Sequence, residues 1–318
     1  MDKIWYNEVN TFESGVKGLE LNWILGHIRS VEIPTGASIE QIRHEEGDGL
    51  YQVWKIDTPD GRYILKEAKG NEAQHLTELQ RLCSTSVPML YETISIDEKT
   101  YLLMEYIAGE DLCKSDRKKL ILALDALIAL QQNTWDGQML AGSFERSLMR
   151  RKDRGNYLGD PLLEKAYEGF LEVYLSIPRA LCHDDLLPFN VLVTDKRAVM
   201  IDWEVAGMLP YPTAFARFIA HTEEDANALF FMTEADKQFA IHYYYDHLLK
   251  DKGIAYAEWV RVLDYFLLYE FCEWVFVGNK YQATDGLYYQ KYLPLAKKQA
   301  AKLMETAEAT PSAREEQK

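Results

Sequence analysis

The sequence predicts an α+β chain in two lobes: a small antiparallel-sheet N-terminal lobe and a larger, mostly helical C-terminal lobe. Three observations predict it. Strand-like alternation begins near Ile39, and the small lobe ends at Ile107. Helical periodicity opens at Ser115 and dominates everything after Ala214. Between these stretches lies His183-Asp184-Asp185-Leu-Leu-Pro-Phe-Asn190, with Asp202 twelve residues beyond Asn190. The boundaries expected are 1–107 for the lead-in and small lobe, 108–308 for the large lobe, and 309–318 for a polar, disordered tail.

The elements follow in order. Residues 1–38 form a mixed lead-in, with one short helix over Asn22–Ile28. Glu45-Glu-Gly47-Asp-Gly49 lies between two strands and carries two glycines, which fits either a phosphate-covering loop or an ordinary hairpin turn. Thr58-Pro-Asp-Gly61 is a turn, and Arg62-Tyr-Ile-Leu-Lys66 is the strand after it. Asn71–Leu82 reads as a helix with Leu76, Leu79 and Leu82 on its apolar face. Ser115 is placed to cap the next helix, whose buried face is Leu120, Leu124, Leu127 and Leu130. Residues 141–178 continue as helix up to Pro178. Val191-Leu-Val and Ala198-Val-Met-Ile flank the polar turn Thr194-Asp-Lys-Arg197, a hairpin pattern that returns Asp202 toward Asn190.

The H-x-D-x-x-x-x-N spacing, a hairpin and then an aspartate have the shape of a kinase catalytic loop and its metal-binding acid. Phosphoryl transfer needs a carboxylate beside the attacking hydroxyl, and oxygen ligands that hold Mg²⁺ on the nucleotide phosphates. Asp185 suits the first role; Asn190 and Asp202 suit the second. Lys66, at the end of its strand, suits a phosphate contact. Such a lysine needs a carboxylate to hold it, and Glu72 or Glu78 could serve, with Glu72 the better placed.

The chain resembles the aminoglycoside phosphotransferase and choline kinase family, the small-molecule branch of the protein-kinase-like fold. The resemblance is carried by Tyr63-Ile-Leu-Lys66, Asn71-Glu72-Ala, Leu102-Leu-Met-Glu-Tyr-Ile-Ala-Gly109, His183–Leu192 and Ile201-Asp202-Trp-Glu204-Val-Ala-Gly207. It implies a bilobal fold and a kinase using ATP or GTP with Mg²⁺ on a hydroxyl of a small acceptor, such as an aminoglycoside- or choline-like compound. It implies Asp185 as base, with His183 organising the catalytic loop. It implies Lys66 and Glu72 at the phosphates, and Glu105, Tyr106 and Ile107 in a hinge that holds the nucleotide base. Asn190 and Asp202 become metal ligands, with Glu204 as a second acid beside them.

The family often has glycine where this chain has Asp184. That acid could raise the pKa of Asp185 by like-charge repulsion, or point to solvent. A non-catalytic kinase-like module that binds nucleotide or a partner is the alternative function. A protein kinase is disfavoured, because Asp202-Trp-Glu204 replaces D-F-G and no A-P-E follows.

On the C-terminal helices, Glu270 and Glu273 share a face amid Tyr265, Tyr269, Trp274 and Phe276. Paired carboxylates beside rings suit an ammonium group, so Glu270, Glu273 and Trp274 are the expected acceptor residues. Fifty acids against thirty-five bases give a net charge of −15. That disfavours nucleic acid and anionic membrane as partners and is compatible with a cationic acceptor. No secretory signal is visible at the N-terminus, and the apolar stretch Leu263–Gly278 is broken by three acids. Cys83, Cys113, Cys182 and Cys272 lack metal spacing and read as reduced thiols, so a cytoplasmic location is expected.

Overall fold

A computed structural model describes residues 16–43, 49–82 and 85–309. Glu45–Asp48 of the glycine pair's loop, Cys83 and the tail 310–318 lie outside the described residues. The first elements are α1 (Val16–Leu25), β1 (Ser38–Arg43), β2 (Leu50–Thr58), β3 (Gly61–Glu67), α2 (Glu72–Gln80), β4 (Leu90–Ile96) and β5 (Lys99–Glu105). Next come β6 (Glu110–Asp111), α3 (Arg117–Thr134), α4 (Ser143–Gly155), α5 (Pro161–Ser176), β7 (Arg179–His183), β8 (Val191–Val193), β9 (Ala198–Met200) and β10 (Ala206–Pro210). The chain then continues as α6 (Pro212–Ala220), α7 (Glu234–Tyr244), α8 (Tyr256–Tyr281) and α9 (Leu287–Ala309).

The chain divides into two compact units. The first runs to Gly109 and takes back Val199–Glu204; the second comprises Glu110–Ala198 and Val205 onward. Unit one is an antiparallel five-stranded sheet of order β1-β2-β3-β5-β4. Alternation works as expected: Trp54, Ile56, Leu65, Ile94, Ile96, Tyr101 and Leu103 turn to one core, and Ile24 and Ile28 from the lead-in join them. Each such side chain contributes about 1.5–3 kcal/mol when fully buried. The lead-in helix lies earlier than expected, ending at Leu25, and Gly26 closes it with an N–H bond to Asn22 O at 3.1 Å. Helix α2 packs Leu76 and Leu79 against β4 and β5. Leu82 falls past its end and is exposed, so it is not part of the helix's apolar face.

Unit two is helical around short strands. Leu120, Leu124, Leu127 and Leu130 of α3 are buried as expected. The cap of α3 is Asp116, which accepts from Lys119 N–H at 3.0 Å, not Ser115, whose hydroxyl is buried without a partner. The expected 141–178 helix is two helices, α4 and α5, with Asp160 capping the second. Strand β7 pairs antiparallel with β10, placing His183 opposite Ala206 and Cys182 opposite Gly207. A Cβ at Gly207 would come within 2.9 Å of the Ser143 side chain, so glycine lets α4 lie close on β10. Strand β8 pairs with β6, and the expected turn after it forms, with Thr194 N–H donating to Arg197 O at 2.9 Å. Phe170 stacks on Tyr269 and meets Phe266 edge-on, which ties α5 to α8. The stretch between α6 and α7 is not helical; Glu223 and Phe231 bridge across it. Among the described residues no helix is long and apolar enough to cross a membrane.

Candidate active site

In unit one the site grows from β3. This strand lies between β2 and β5, with Lys66 opposite Val53 and Leu102. Lys66 Nζ lies 2.5 Å from Glu72 Oε1 and 2.7 Å from Asp202 Oδ1. Glu72, the first residue of α2, is buried, as the expected partner of Lys66 should be; Glu78 instead accepts from Gln74 on the exposed helix surface. Burial alone would lower the Lys66 pKa, but the two carboxylates outweigh it and hold it above its ordinary value. Glu72 is also pushed upward, first by burial and then by Asp202, against the pull of Lys66. We read the cluster as an ionised lysine whose one charge serves two carboxylates.

Asp202 sits at φ +68°, a left-handed conformation that a short polar side chain tolerates better than most. Its segment is held by His75, whose Nδ1 lies 2.8 Å from Trp203 O, and by Met200 N–H donating to Ser86 O at 2.9 Å. Two residues on, Glu204 Oε2 is buried with no hydrogen-bond partner. Among the described residues no group of three or more His, Cys, Asp or Glu could hold a metal. Mg²⁺ asks for less, since it is often held by one or two carboxylates plus phosphate and water. Asp202 and the orphaned Glu204 oxygen fit that demand. At the expected hinge, Glu105 N–H donates to Met89 O at 2.8 Å, Ile107 is buried, and the Tyr106 ring lies under Arg62 at 4.6 Å.

In unit two β7 leads into the loop His183–Asn190, the expected catalytic loop. His183 is fully buried, and its Nδ1 accepts from Asp185 N–H at 3.3 Å, so it shapes the loop. Asn190 Nδ2 donates to Asp185 O at 2.8 Å, which leaves the Asn190 amide oxygen as the atom able to meet a cation. The Asp185 side chain is 30% exposed, and its Oδ1 accepts from Arg217 Nη2 at 2.8 Å and Nε at 3.1 Å.

Two expectations are corrected here. Asp184 neither faces solvent nor crowds Asp185. Its carboxylate is buried and accepts from Arg151 Nη2 at 2.6 Å, Ser147 Oγ at 3.0 Å and Arg150. Burial would raise its pKa, but Arg151 and Arg150 overcome that and hold it well below the carboxylate range. Glu270 and Glu273 do share a face, yet they do not await a substrate ammonium. Glu270 is 3% exposed and accepts from Arg217 Nη1 at 2.8 Å. Glu273 takes Arg217 Nη1 at 2.9 Å on one oxygen, and Tyr269 OH at 2.6 Å with Arg154 on the other. Trp274 stacks on Tyr288 at 4.5 Å, with its indole nitrogen buried and unpartnered. Arg217 is the residue that sequence reasoning missed. Its one signal is that it is the sole charge in α6, Pro-Thr-Ala-Phe-Ala-Arg-Phe-Ile-Ala. Arg151 stood hidden in the charged run Arg150-Arg-Lys-Asp-Arg154.

This arrangement can be set beside known proteins. No curated protein sequence matches the chain. Solved structures do. A choline kinase from Cryptosporidium parvum is 15% identical, with a TM-score of 0.58 over 92% of this chain and 97% of that one. An aminoglycoside 2′-phosphotransferase in complex with GDP is 13% identical, with a TM-score of 0.56 over 91% of this chain and 99% of that one. An amicoumacin kinase in complex with AMP-PNP and Ca²⁺ is 13% identical, with a TM-score of 0.54 over 94% and 96%. At these identities the likeness establishes the protein-kinase-like fold. The model of the phosphotransferase enzyme family matches residues 44–242, a span that holds Lys66, Glu72, Asp185, Asn190, Asp202 and Arg217. The chain belongs to that family.

Proposed function

We propose that the protein is a small-molecule kinase, moving the terminal phosphoryl group of ATP or GTP to a hydroxyl of a small acceptor. The observation that carries the reading is the cluster of Lys66, Glu72 and Asp202, with Glu72 buried and the other two largely shielded. A fixed cation on a sheet, braced by a helix glutamate and next to a second acid, is the equipment for gripping phosphates. Support comes from the relatives: one is in complex with GDP and another with AMP-PNP and Ca²⁺.

Lys66 would bind phosphate oxygens, and Glu72 would keep its Nζ in place. Asp202, Glu204 and the Asn190 amide oxygen would hold Mg²⁺, which when bound neutralises charge on the phosphates. Glu105–Ile107 would meet the nucleotide base. Asp185 would accept the proton of the acceptor hydroxyl. As it does so, the acceptor oxygen bonds to the terminal phosphorus, and the bond to the bridging oxygen breaks, leaving the nucleoside diphosphate. A preference for a cationic acceptor now rests on the net charge of −15 rather than on Glu270 and Glu273. The test is nucleotide consumption by the purified protein with Mg²⁺ across aminoglycosides, choline analogues and neutral hydroxylated metabolites. Turnover with at least one acceptor is expected; none with any nucleotide would overturn the reading.

A further inference from the structure

We infer that Arg217 is a positioning residue that orients Asp185, and that Glu270 and Glu273 act by holding Arg217 rather than by touching the acceptor. The inference deepens the proposed kinase reading and rests on it.

Arg217 presents two edges. Nε and Nη2 converge on the same oxygen of Asp185, Oδ1. Nη1 points the other way, to Glu270 Oε2 at 2.8 Å and Glu273 Oε2 at 2.9 Å. A guanidinium is planar and rigid, so fixing one edge on α8 fixes the other on the catalytic loop. Oδ1 is thereby committed, and Oδ2 becomes the oxygen turned to a hydroxyl. The clamp is tight because it is nearly dry: side-chain exposure is 13% at Arg217 and 3% at Glu270. Ionic hydrogen bonds in such surroundings are stronger and better aligned than on a surface. Glu270 is itself backed by His221, whose Nε2 lies 3.3 Å away and whose Nδ1 lies 2.8 Å from Tyr292 OH.

The neighbouring acid is pinned as well. Asp184 is held by Arg151 of α4, and Arg151 lies over the Tyr269 ring at 4.4 Å. Tyr269 OH donates to Glu273, which also holds Arg217. Two consecutive acids of the loop are thus fixed by arginines from two helices, and both arginines lean on α8. Shifting a reacting group by about 1 Å can cost ~10²-fold in rate, so this brace bears on turnover directly.

The experiment uses the full chain and the variants Arg217→Ala, Arg217→Lys, Glu270→Gln, Asp185→Asn and Arg217→Ala/Asp185→Asn. Arg217→Ala should lower kcat about 10²-fold, with nucleotide KM unchanged. Added guanidinium ion should restore part of that loss. Glu270→Gln should lose kcat in the same direction but less. The double variant should be no slower than Asp185→Asn, because Arg217 acts through Asp185. Additive losses, or a changed acceptor KM at unchanged kcat, would overturn the inference. Should Arg217→Ala fail to fold, Arg217→Lys and Glu270→Gln carry the same split. A crystal structure of Arg217→Lys or Glu270→Gln gives a readout independent of turnover, with a displaced Asp185 carboxylate expected. An Asp185 carboxylate left in place would refute the clamp. An inactive wild-type protein with a displaced Asp185 in the variants would refute the kinase reading and leave the clamp standing.

Discussion

Replacing Asp184 by asparagine removes the negative charge that Arg150 and Arg151 share and leaves the Arg151 guanidinium unneutralised in the interior of unit two. Arg151 has no exposed surface, and its ion-pair partner is Asp184. What remains to it is Ser147 and the faces of Tyr174 and Tyr269. Breaking a buried pair by removing one member costs about 3–5 kcal/mol, because a charge is stranded away from water. For a helical unit of this size that corresponds to a fall in Tm on the order of 10 °C. The assay is thermal unfolding followed by far-UV circular dichroism at pH 7. The pKa of Asp184 is depressed in the folded state, so its contribution is fully present above about pH 4. It is lost only as pH falls through the lower native value. A second variant, Asp184→Asn with Arg151→Met, removes both charges and should recover part of the loss. A Tm for Asp184→Asn within about 2 °C of wild type, less than the shift from 1 kcal/mol, would refute the reasoning.

Further outcomes follow from the same geometry. Lys66→Met should weaken nucleotide binding by isothermal calorimetry, and Glu72→Gln should do so less, since the lysine stays but loses its brace. Asp202→Ala should abolish the Mg²⁺ dependence of nucleotide binding, with Asn190→Ala weaker in the same direction, because a charged ligand contributes more to a hard cation than an amide. Burial would raise the Glu270 pKa, but Arg217 holds it below its ordinary value, so its stabilising contribution is present above the unfolded value near 4.3 and lost as pH falls through the native one. The Tm gap between wild type and Glu270→Gln should therefore be full at pH 7 and close on acidification below about pH 4.

The fold was legible because its signals are local. Alternation in β2 and β3, the Thr58–Gly61 turn and the leucine stripe of α3 each depend on neighbours a few residues away. The Lys66–Glu72 pair was legible for the same reason, being six residues apart. The loop His183–Asn190 was proposed as catalytic from residue types at fixed spacing. The rest depends on long-range partners. Arg217 meets residues 32, 53 and 56 positions away, and no pattern in α6 reveals them. Glu270 and Glu273 were placed correctly on one face, but their countercharge comes from the protein and not from a substrate. Ser115 and Asp116 are both good caps, and only the backbone decides between them. Asp184 looked like a liability beside Asp185 until Arg151, thirty-three residues upstream, supplied its partner.

The most direct test of the account is ³¹P NMR of a reaction holding the protein, Mg²⁺, nucleoside triphosphate and an accepted hydroxyl compound. The account predicts that the terminal phosphorus signal disappears and a phosphate monoester of the acceptor grows in its place, at a rate about 10²–10⁴-fold lower for a folded Asp185→Asn. Release of inorganic phosphate alone, or an Asp185→Asn variant that forms the ester at the wild-type rate, would contradict it.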